Sequence, residues 1–337
     1  MINEIVKTVL FVTLVLPGTI TASALAQDFQ YNNPLIRQRA DPWIHRAECG
    51  TYYFVATVPE YDRIEMRKAT TINGLADAEP VVIWRKHESG PMSHHIWAPE
   101  LHRIDGKWYI YFAAGRAEDI WKIRMFVLSS DAADPTSGEW IEEGQIRTER
   151  NSFALDATVF EHKGELYYVW AEKTREDINS GLLISRMKDP VTLVGPQVII
   201  AEPEYGWEKQ TYAVNEGAAV LKRNDMVFIT FSASATDHTY AIGLLWANEG
   251  DDLMDPGSWN KLPGPVFYTN KKVNRFGPGH NSFTVAEDGK TDVMVYHARE
   301  YKEITGHPLY DPNRDTRVRV LHWKEDGFPD FRQEAGD

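Results

Sequence analysis

Three acidic residues, each with small or apolar neighbours, begin short β-like runs in the sequence. They are Asp41, Asp156 and Glu216. Carboxylates that converge in apolar surroundings cannot all be ionised at low cost, so at least one of their pKa values should be raised. A proton donor beside an ionised carboxylate is the combination that cleavage of a glycosidic bond requires. One such acid alone would more often accept hydrogen bonds from loop N–H groups, but three at equivalent positions predict a shared site.

The acids belong to a repeat of five units along the chain. In each unit an anchor residue leads to a turn and then to a strand rich in aromatic and β-branched residues. The five anchors are Asp41, Trp97, Asp156, Glu216 and His280. Spacings of 56, 58, 60 and 65 positions separate the five turn residues, which are Gly50, Gly106, Gly164, Asn224 and Gly289. A period of this length, built from hairpins, indicates a radial β repeat in which equivalent strand starts meet near one axis.

Each unit also contains a further strand-like run after the aromatic strand, such as 123–128 and 241–246, and the chain has no sustained helical periodicity. The sequence therefore predicts an all-β fold, a five-bladed β-propeller with room for four strands in each blade. A sandwich or a jelly roll would not produce the fivefold spacing. Because no segment resembles a linker, residues 27–337 are expected to form a single propeller domain that carries the catalytic site.

Residues 1–26 have the features of a secretory signal peptide. Lys7 precedes an apolar run over 8–16 that is too short to span a bilayer, and a Pro-Gly pair ends this run. The small residues Ala24 and Ala26 then supply a cleavage site. The protein is therefore expected to be secreted, either to a periplasm or to the medium, and an uncleaved anchor is the alternative. No later apolar run is long enough to span a membrane.

Composition excludes several classes of function. The net charge is −13 and no Lys/Arg cluster is present, which argues against a nucleic-acid partner and favours a neutral substrate over an acidic one. Cys49 is the only cysteine, so an internal disulfide is impossible. Motifs of nucleotide-binding proteins, zinc proteases and serine hydrolases are missing. The 11 Trp and 15 Tyr supply flat rings for the core and for the apolar faces of sugars.

Five short motifs give the chain a resemblance to glycoside hydrolase family 43 over about residues 33–331. These motifs are Ala40-Asp41-Pro42, Trp97-Ala98-Pro99-Glu100, Leu155-Asp156-Ala157-Thr158, Asn215-Glu216-Gly217 and Gly277-Pro278-Gly279-His280-Asn281-Ser282-Phe283. Within the family the chain most resembles the exo-acting α-1,5-L-arabinofuranosidases, through Asn33-Pro34-Leu35-Ile36, His94-His95-Ile96-Trp97 and Asp311-Pro312-Asn313-Arg314. The resemblance implies a five-bladed propeller that acts on arabinan or xylan.

The resemblance also implies a role for each of the three acids. Asp41 would be the general base, Glu216 the general acid, and Asp156 the carboxylate that orients the acid and tunes its pKa. Hydrolysis in this family is a single displacement with inversion at the anomeric carbon. Because a water molecule must fit between base and sugar, we expect the carboxyl groups of Asp41 and Glu216 to lie roughly 6.5–9.5 Å apart.

Three other residues receive roles from the same resemblance. Trp97 occupies the axial position of the second unit, where it would present its ring to the sugar. Arg317 would reach the bound sugar from the last unit. His280 would face a hydrated cation in the central channel, usually calcium, and this ion would be structural because inversion requires no metal cofactor.

The leading hypothesis is a secreted enzyme that releases terminal L-arabinofuranose from α-1,5-linked arabinan or arabino-oligosaccharides. A β-xylosidase or an endo-arabinanase on the same scaffold would keep the three acids. The alternative from another class is a sugar-binding propeller without catalytic activity. An open groove would favour endo action, whereas a pocket closed by segment 60–91 or 301–314 would favour exo action. Neither nucleic acid nor a membrane is expected as a partner.

Overall fold

The computed structural model describes residues 29–335, so the predicted signal peptide lies outside the described residues. The strands are β1 (Ala40–Arg46), β2 (Tyr52–Thr57), β3 (Arg63–Ala69), β4 (Val81–Arg85), β5 (Pro91–Ile104), β6 (Lys107–Arg116), β7 (Asp119–Ser130), β8 (Ile141–Gln145), β9 (Ala154–His162), β10 (Glu165–Glu172), β11 (Gly181–Asp189), β12 (Thr192–Ala201), β13 (Asn215–Arg223), β14 (Met226–Ala233), β15 (Ala241–Asn248), β16 (Asn260–Lys261), β17 (Phe276–Val285), β18 (Asp292–Arg299), β19 (Asp315–Val320), β20 (His322–Trp323) and β21 (Pro329–Asp330). Short 3₁₀ helices span Asn73–Leu75, Gly206–Lys209, Pro256–Ser258, Lys271–Val273 and Pro308–Tyr310. Within 29–335, no helix has the length and apolar character needed to cross a membrane.

The strands form five antiparallel sheets arranged as the blades of a propeller, which confirms the predicted fold. Blades 1 to 4 are β1–β4, β5–β8, β9–β12 and β13–β16, each with the four strands that the sequence predicted. Blade 5 differs, because its sheet contains β17, β18 and β19, and β20 pairs separately with β21. The backbone of Ile36, just before β1, bridges Thr316 of β19 and so links the first and last blades.

The core lies between adjacent blades, where both faces of each sheet are covered. All residues of β2 and β18 are buried, which explains why the central strands have continuous apolar runs instead of alternating polar and apolar residues. Trp108 and Trp170 are completely buried in central strands β6 and β10. Each of the innermost strands β1, β5, β9, β13 and β17 contacts the next one, so together they surround the axis.

Every innermost strand contains a β-bulge at the same place in its pairing with the second strand. In β1 one extra residue lies between Ala40 and Trp43, and the other four strands have the equivalent irregularity. The first residue of each bulge is left-handed, with φ of 52° at Asp41, 45° at Ala98, 53° at Asp156, 57° at Gly217 and 42° at His280. A bulge redirects the side chain that it carries. Asp41, Asp156 and His280 therefore occupy equivalent positions in their blades.

The bulge positions correct the prediction that the three acids are equivalent, because Glu216 does not occupy the position of the two aspartates. Gly217 is the bulge residue of blade 4, and Glu216 precedes it by one position. Trp97 likewise precedes the bulge residue Ala98 in blade 2. Successive residues in a strand point in different directions, so Glu216 approaches the axis from a different direction than the aspartates. The sequence repeat does not reveal this offset, since the bulge positions carry acidic, basic and small residues alike.

Gly217 illustrates why a small residue is needed in blade 4. A Cβ added to Gly217 would lie 3.1 Å from Cγ of His280, so the imidazole packs directly on the glycine backbone. The left-handed conformation is also accessible to glycine without the steric penalty that a side chain brings. The pairing of a glycine in blade 4 with a histidine in blade 5 is thus a packing requirement at the axis.

Gly217→Ala should destabilise the fold by about 1–2 kcal/mol, because alanine is strained in the left-handed region. The free energy of unfolding from urea denaturation measures this effect. Gly250→Ala is the matched control, since no atom lies within 4 Å of a Cβ added there. It should change stability by less than about 0.5 kcal/mol. Equal stability of G217A and the wild type would show that the bulge does not require glycine.

Candidate active site

A cavity of about 480 Å³ lies at the end of the propeller where the bulge residues of β1, β9 and β17 converge. All three predicted carboxylates line it, together with Trp97 and His280. The other lining residues are Trp121, Phe153, Leu155, Lys173, Glu176, Ile178, Asn179, Ser180, Tyr212, Val214, Ser234, Ala235, Thr236, Tyr240, His307, Leu309 and Arg314. Five of the six residues proposed from the sequence therefore meet at one cavity.

Asp41 is buried at the base of this cavity and has two strong partners. Its Oδ2 accepts a hydrogen bond of 2.6 Å from Oγ1 of Thr57, and Nη1 of Arg314 lies 3.3 Å from its Oδ1. Burial by itself would raise the pKa of Asp41. The Arg314 guanidinium, two adjacent histidines and Thr57 outweigh burial and hold the pKa well below its usual value. Asp41 is therefore ionised at neutral pH, the state that a general base requires.

The two histidines beside Asp41 are neutral. Nδ1 of His280 lies 3.2 Å from Oδ1 of Asp41 and 3.6 Å from Oδ2 of Asp156. Nδ1 of His297 accepts a hydrogen bond of 3.1 Å from the backbone N–H of Asp41. Burial lowers the pKa of both imidazoles, so neither carries a full charge at pH 7. Arg314 therefore contributes most to keeping Asp41 ionised, and the histidines and Thr57 contribute less.

Glu216 has the opposite electrostatic environment. Its side chain reaches the cavity but is otherwise surrounded by protein, and this burial raises the pKa of Glu216 to about 7. A hydrogen bond of 2.7 Å, donated by Tyr240 Oη to Oε1, opposes the rise, and the charge of Asp41 adds to it. Since Oε1 is occupied, Oε2 is the oxygen favoured to hold the proton. Glu216 can therefore donate a proton near neutral pH.

Asp156 is coupled to Glu216 through their like charges. Burial raises the pKa of Asp156 well above its usual value, and Glu216, Asp41 and Glu100 raise it further. A hydrogen bond from the backbone N–H of Gly217 acts in the opposite direction. Because each carboxylate of the pair disfavours ionisation of the other, Asp156 and Glu216 together retain at least one proton at neutral pH.

The Trp97 ring forms an aromatic wall of the cavity. His95 stacks on it at 4.3 Å between ring centroids, and Tyr61 packs edge-on at 5.7 Å. Nε1 of Trp97 is buried and lacks a hydrogen-bond partner within the described part of the chain. Trp121, whose ring centroid lies 6.3 Å from that of Trp97, extends the wall toward solvent.

Arg317 does not occupy the position that the sequence analysis expected. It lies in β19, is almost completely buried, and places Nη2 2.7 Å from Oε1 of Glu300. Arg314 is the arginine that lines the cavity, three residues earlier in the chain. The reason is that β19 begins only at Asp315, so Arg314 belongs to the preceding loop, which lines the cavity. Its place in the Asp-Pro-Asn-Arg motif was the available signal.

Tyr240 and His297 are two further site residues that the sequence analysis did not identify. Their rings stack on each other, with centroids 5.8 Å apart and planes inclined by 5°. Tyr240 stands in the loop before β15, outside any of the repeated motifs. His297 directly follows the apolar run 293–296 in the central strand β18, and a buried polar residue at such a place was a recognisable signal.

His280 does not belong to a group of protein ligands for a metal. Within residues 29–335, no three His, Cys, Asp or Glu side chains are arranged to hold a metal ion. Nδ1 of His280 is instead directed at the carboxylates of Asp41 and Asp156. These residues therefore do not fit a directly coordinated cation, and a hydrated calcium ion beside His280 stays a prediction.

A five-bladed propeller that holds one ionised and one protonated carboxylate at an axial cavity has the architecture of a glycoside hydrolase. The family model "Glycosyl hydrolases family 43" matches residues 31–329. The chain belongs to this family, and its substrate is a carbohydrate.

The relatives of the chain within this family include enzymes of bacteria. An extracellular exo-α-(1→5)-L-arabinofuranosidase of Streptomyces chartreusis is 56% identical over 293 residues, which are 87% of this chain and 89% of that one. A protein of the same description from Streptomyces avermitilis is 51% identical over 95% of this chain, which spans 66% of that relative's length. The crystal structure of an α-L-arabinofuranosidase from Lactobacillus brevis superposes with a TM-score of 0.87 at 54% identity, over 90% of this chain and 96% of that one.

Asp156→Asn should lower activity and move the alkaline limb of the kcat/KM pH profile to lower pH. Burial is the largest cause of the raised pKa of Glu216. The substitution removes the repulsion that an ionised Asp156 adds to it, so Glu216 would lose its proton at lower pH. Tyr240→Phe is the matched control and should move the same limb to higher pH, because its hydrogen bond stabilises the ionised form of Glu216. An alkaline limb that stays in place in D156N would contradict the tuning role.

Proposed function

We propose that this protein is a secreted, inverting exo-α-L-arabinofuranosidase that releases terminal L-arabinofuranose from α-1,5-linked arabinan or arabino-oligosaccharides. The observation that carries the proposal is the opposite displacement of two pKa values at one cavity, low for Asp41 and about 7 for Glu216. Two carboxyl groups whose pKa values differ in this way can act as the acid and the base of one reaction. The names of the relatives supply the arabinan substrate and the extracellular location.

The proposed reaction uses each carboxyl group once. Asp41 accepts a proton from a water molecule as the water oxygen bonds to the anomeric carbon. Glu216 donates its proton to the glycosidic oxygen as the bond between this oxygen and the anomeric carbon breaks. The products are arabinose of inverted configuration and a shortened chain. Exchange with solvent then returns a proton to Glu216 and removes one from Asp41.

Exo action is supported by a segment that closes one side of the cavity. His307, Leu309 and Arg314 of segment 301–314 line the cavity, whereas none of residues 60–91 does so. Tyr310 Oη lies 3.5 Å from Nε2 of His95, so this segment extends from blade 5 to blade 2. A chain end fits such a pocket, but an uninterrupted polysaccharide would need an open groove.

A time course on linear α-1,5-arabinan tests the proposed function, with products separated by size. We expect arabinose as the sole early product, and NMR of the first product should show inversion. Glu216→Gln should reduce the rate by roughly 10²–10⁴-fold, because it removes the proton donor. Early oligosaccharides would instead indicate an endo-arabinanase. Release only from xylo-oligosaccharides would indicate a β-xylosidase, and binding without release would indicate a sugar-binding propeller.

Tyr212 is positioned to contact the part of the chain that leaves. Its ring is 44% exposed and lines the cavity, four residues before Glu216 in the sequence. The leaving oxygen must lie beside the proton donor, so the departing sugar passes on the Glu216 side of the cavity. An exposed aromatic ring there suits the apolar face of this sugar.

Tyr212→Ala should lower kcat/KM for arabinotriose by roughly two- to tenfold, the range expected for one lost aromatic contact. An aryl α-L-arabinofuranoside has no second sugar, so its kcat/KM should stay nearly unchanged. Tyr268→Ala is the matched control, because Tyr268 is 55% exposed but does not line the cavity. Equal losses on both substrates in Y212A would mean that Tyr212 does not contact the leaving sugar.

A further inference from the structure

A buried arginine joins the segment between β18 and β19 to a loop of the neighbouring blade. Arg299, at the end of β18, is 1% exposed. Its Nη1 donates a hydrogen bond of 2.7 Å to the carbonyl of Thr236, in a loop of blade 4 that also lines the cavity. Nη2 donates at 2.9 Å to the carbonyl of Pro308, and Nε donates at 2.9 Å to Oδ1 of Asp311. One guanidinium thus joins two loops at the cavity mouth.

Asp311 is the centre of a hydrogen-bonded turn within this segment. In addition to Arg299, its carboxylate accepts a hydrogen bond of 2.7 Å from Tyr301 Oη to Oδ2 and one of 3.1 Å from the backbone N–H of Asn313 to Oδ1. Burial would raise the pKa of Asp311, but Tyr301 and Arg299 outweigh it and lower the pKa below its usual value. The carboxylate is therefore ionised and fixes the backbone immediately before Arg314.

Arg314 follows this turn directly and is fixed at both ends of its guanidinium. Nη1 lies 3.3 Å from Oδ1 of Asp41, and Nη2 lies 3.3 Å from Oη of Tyr61. Tyr61 Oη in turn donates a hydrogen bond to the carbonyl of Leu309, within the same segment. The position of this cation at Asp41 thus depends on the conformation of the segment.

We propose that Asp311 is a positioning residue for hydrolysis, which acts through Arg314: with Arg299, it fixes the turn that holds the Arg314 guanidinium against the carboxylate of Asp41. Asp311 does not line the cavity, so it acts without contact to the substrate. The proposal deepens the proposed function, and it rests on the assignment of Asp41 as the base.

The direction of the expected pH effect follows from the charges around Asp41. The groups that face it are Arg314, His280, His297, Thr57, Tyr61, Tyr240, Asp156 and Glu216. Arg314 lowers the pKa of both Asp41 and Glu216, so its displacement would raise both. Loss of the negative charge of Asp311 without any movement would lower both instead. The sign of the shift therefore separates positioning from a direct charge effect.

Asp311→Ala is the test, with kcat/KM for an aryl α-L-arabinofuranoside measured against pH. Both limbs of the profile should move to higher pH, the acid limb by about 1 pH unit or more. Asp292→Ala is the matched control, since Asp292 begins β18, the strand that Arg299 ends, and its buried carboxylate also pairs with an arginine, Arg223, at 2.8 Å. This control should lose thermal stability without movement of either limb.

Two results would overturn the proposal. One is a profile of D311A that stays in place or moves to lower pH; the other is an equal upward shift in D292A. A double-mutant cycle adds an independent criterion, because Asp311 is proposed to act through Arg314. The profile of D311A/R314A should then match that of R314A, whereas a further shift in the double variant would also refute the proposal.

A measurement without substrate distinguishes failure of this proposal from failure of the proposed function. The carboxyl ¹³C resonance of Asp41, assigned by its loss in D41N, reports ionisation directly. It should titrate at higher pH in D311A than in the wild type, and an equal or lower midpoint would refute the positioning role. A wild-type protein that hydrolyses no arabinoside would refute the proposed function, yet this titration would still test Asp311.

Discussion

The left-handed bulge residue at one register of all five innermost strands is the constraint on which the site depends. A bulge at this point turns Asp41, Asp156 and His280 toward the axis, where ordinary strand geometry would point successive side chains to opposite faces. Non-glycine residues in this conformation are strained by about 1–2 kcal/mol each. The strain is sustained because blades pack against both faces of each sheet, so the strands cannot relax. The other two bulge residues, Ala98 and Gly217, are small and leave room for their neighbours.

The bulges concentrate acids at the axis, and the arrangement of positive charge then divides their roles. Arg314 contacts Asp41 directly, whereas Asp156 has no cation among the groups that shift its pKa most strongly. The same burial therefore gives an ionised carboxylate on one side and a pair that retains at least one proton on the other. Since Arg314 comes from a loop, the chemistry of the rigid inner strands depends on the connection between the central strand β18 and the outer strand β19 of the last blade.

The sequence was sufficient for the fold and for most of the site because both repeat along the chain. Five units at nearly constant spacing predicted five blades, and their anchors identified five residues that line the cavity. Predictions from the sequence were wrong where the position of a side chain does not follow from its residue type. Glu216 is offset by one position from the aspartates, and Arg317 lies in β19 while Arg314 enters the site. A loop residue such as Tyr240 carries no periodicity and belongs to no recognised motif, so only its contacts identify it.

By itself, the sequence determined the class of fold and the presence of converging acids, because hydrophobic pattern and turn chemistry are local properties of the chain. The tertiary structure decided which acid is ionised, which is protonated and where the arginine lies. These properties depend on burial and on distances between residues far apart in sequence, such as Asp41 and Arg314, which are 273 positions apart. A pKa is set by what surrounds a group in space, and neighbours in sequence do not determine it.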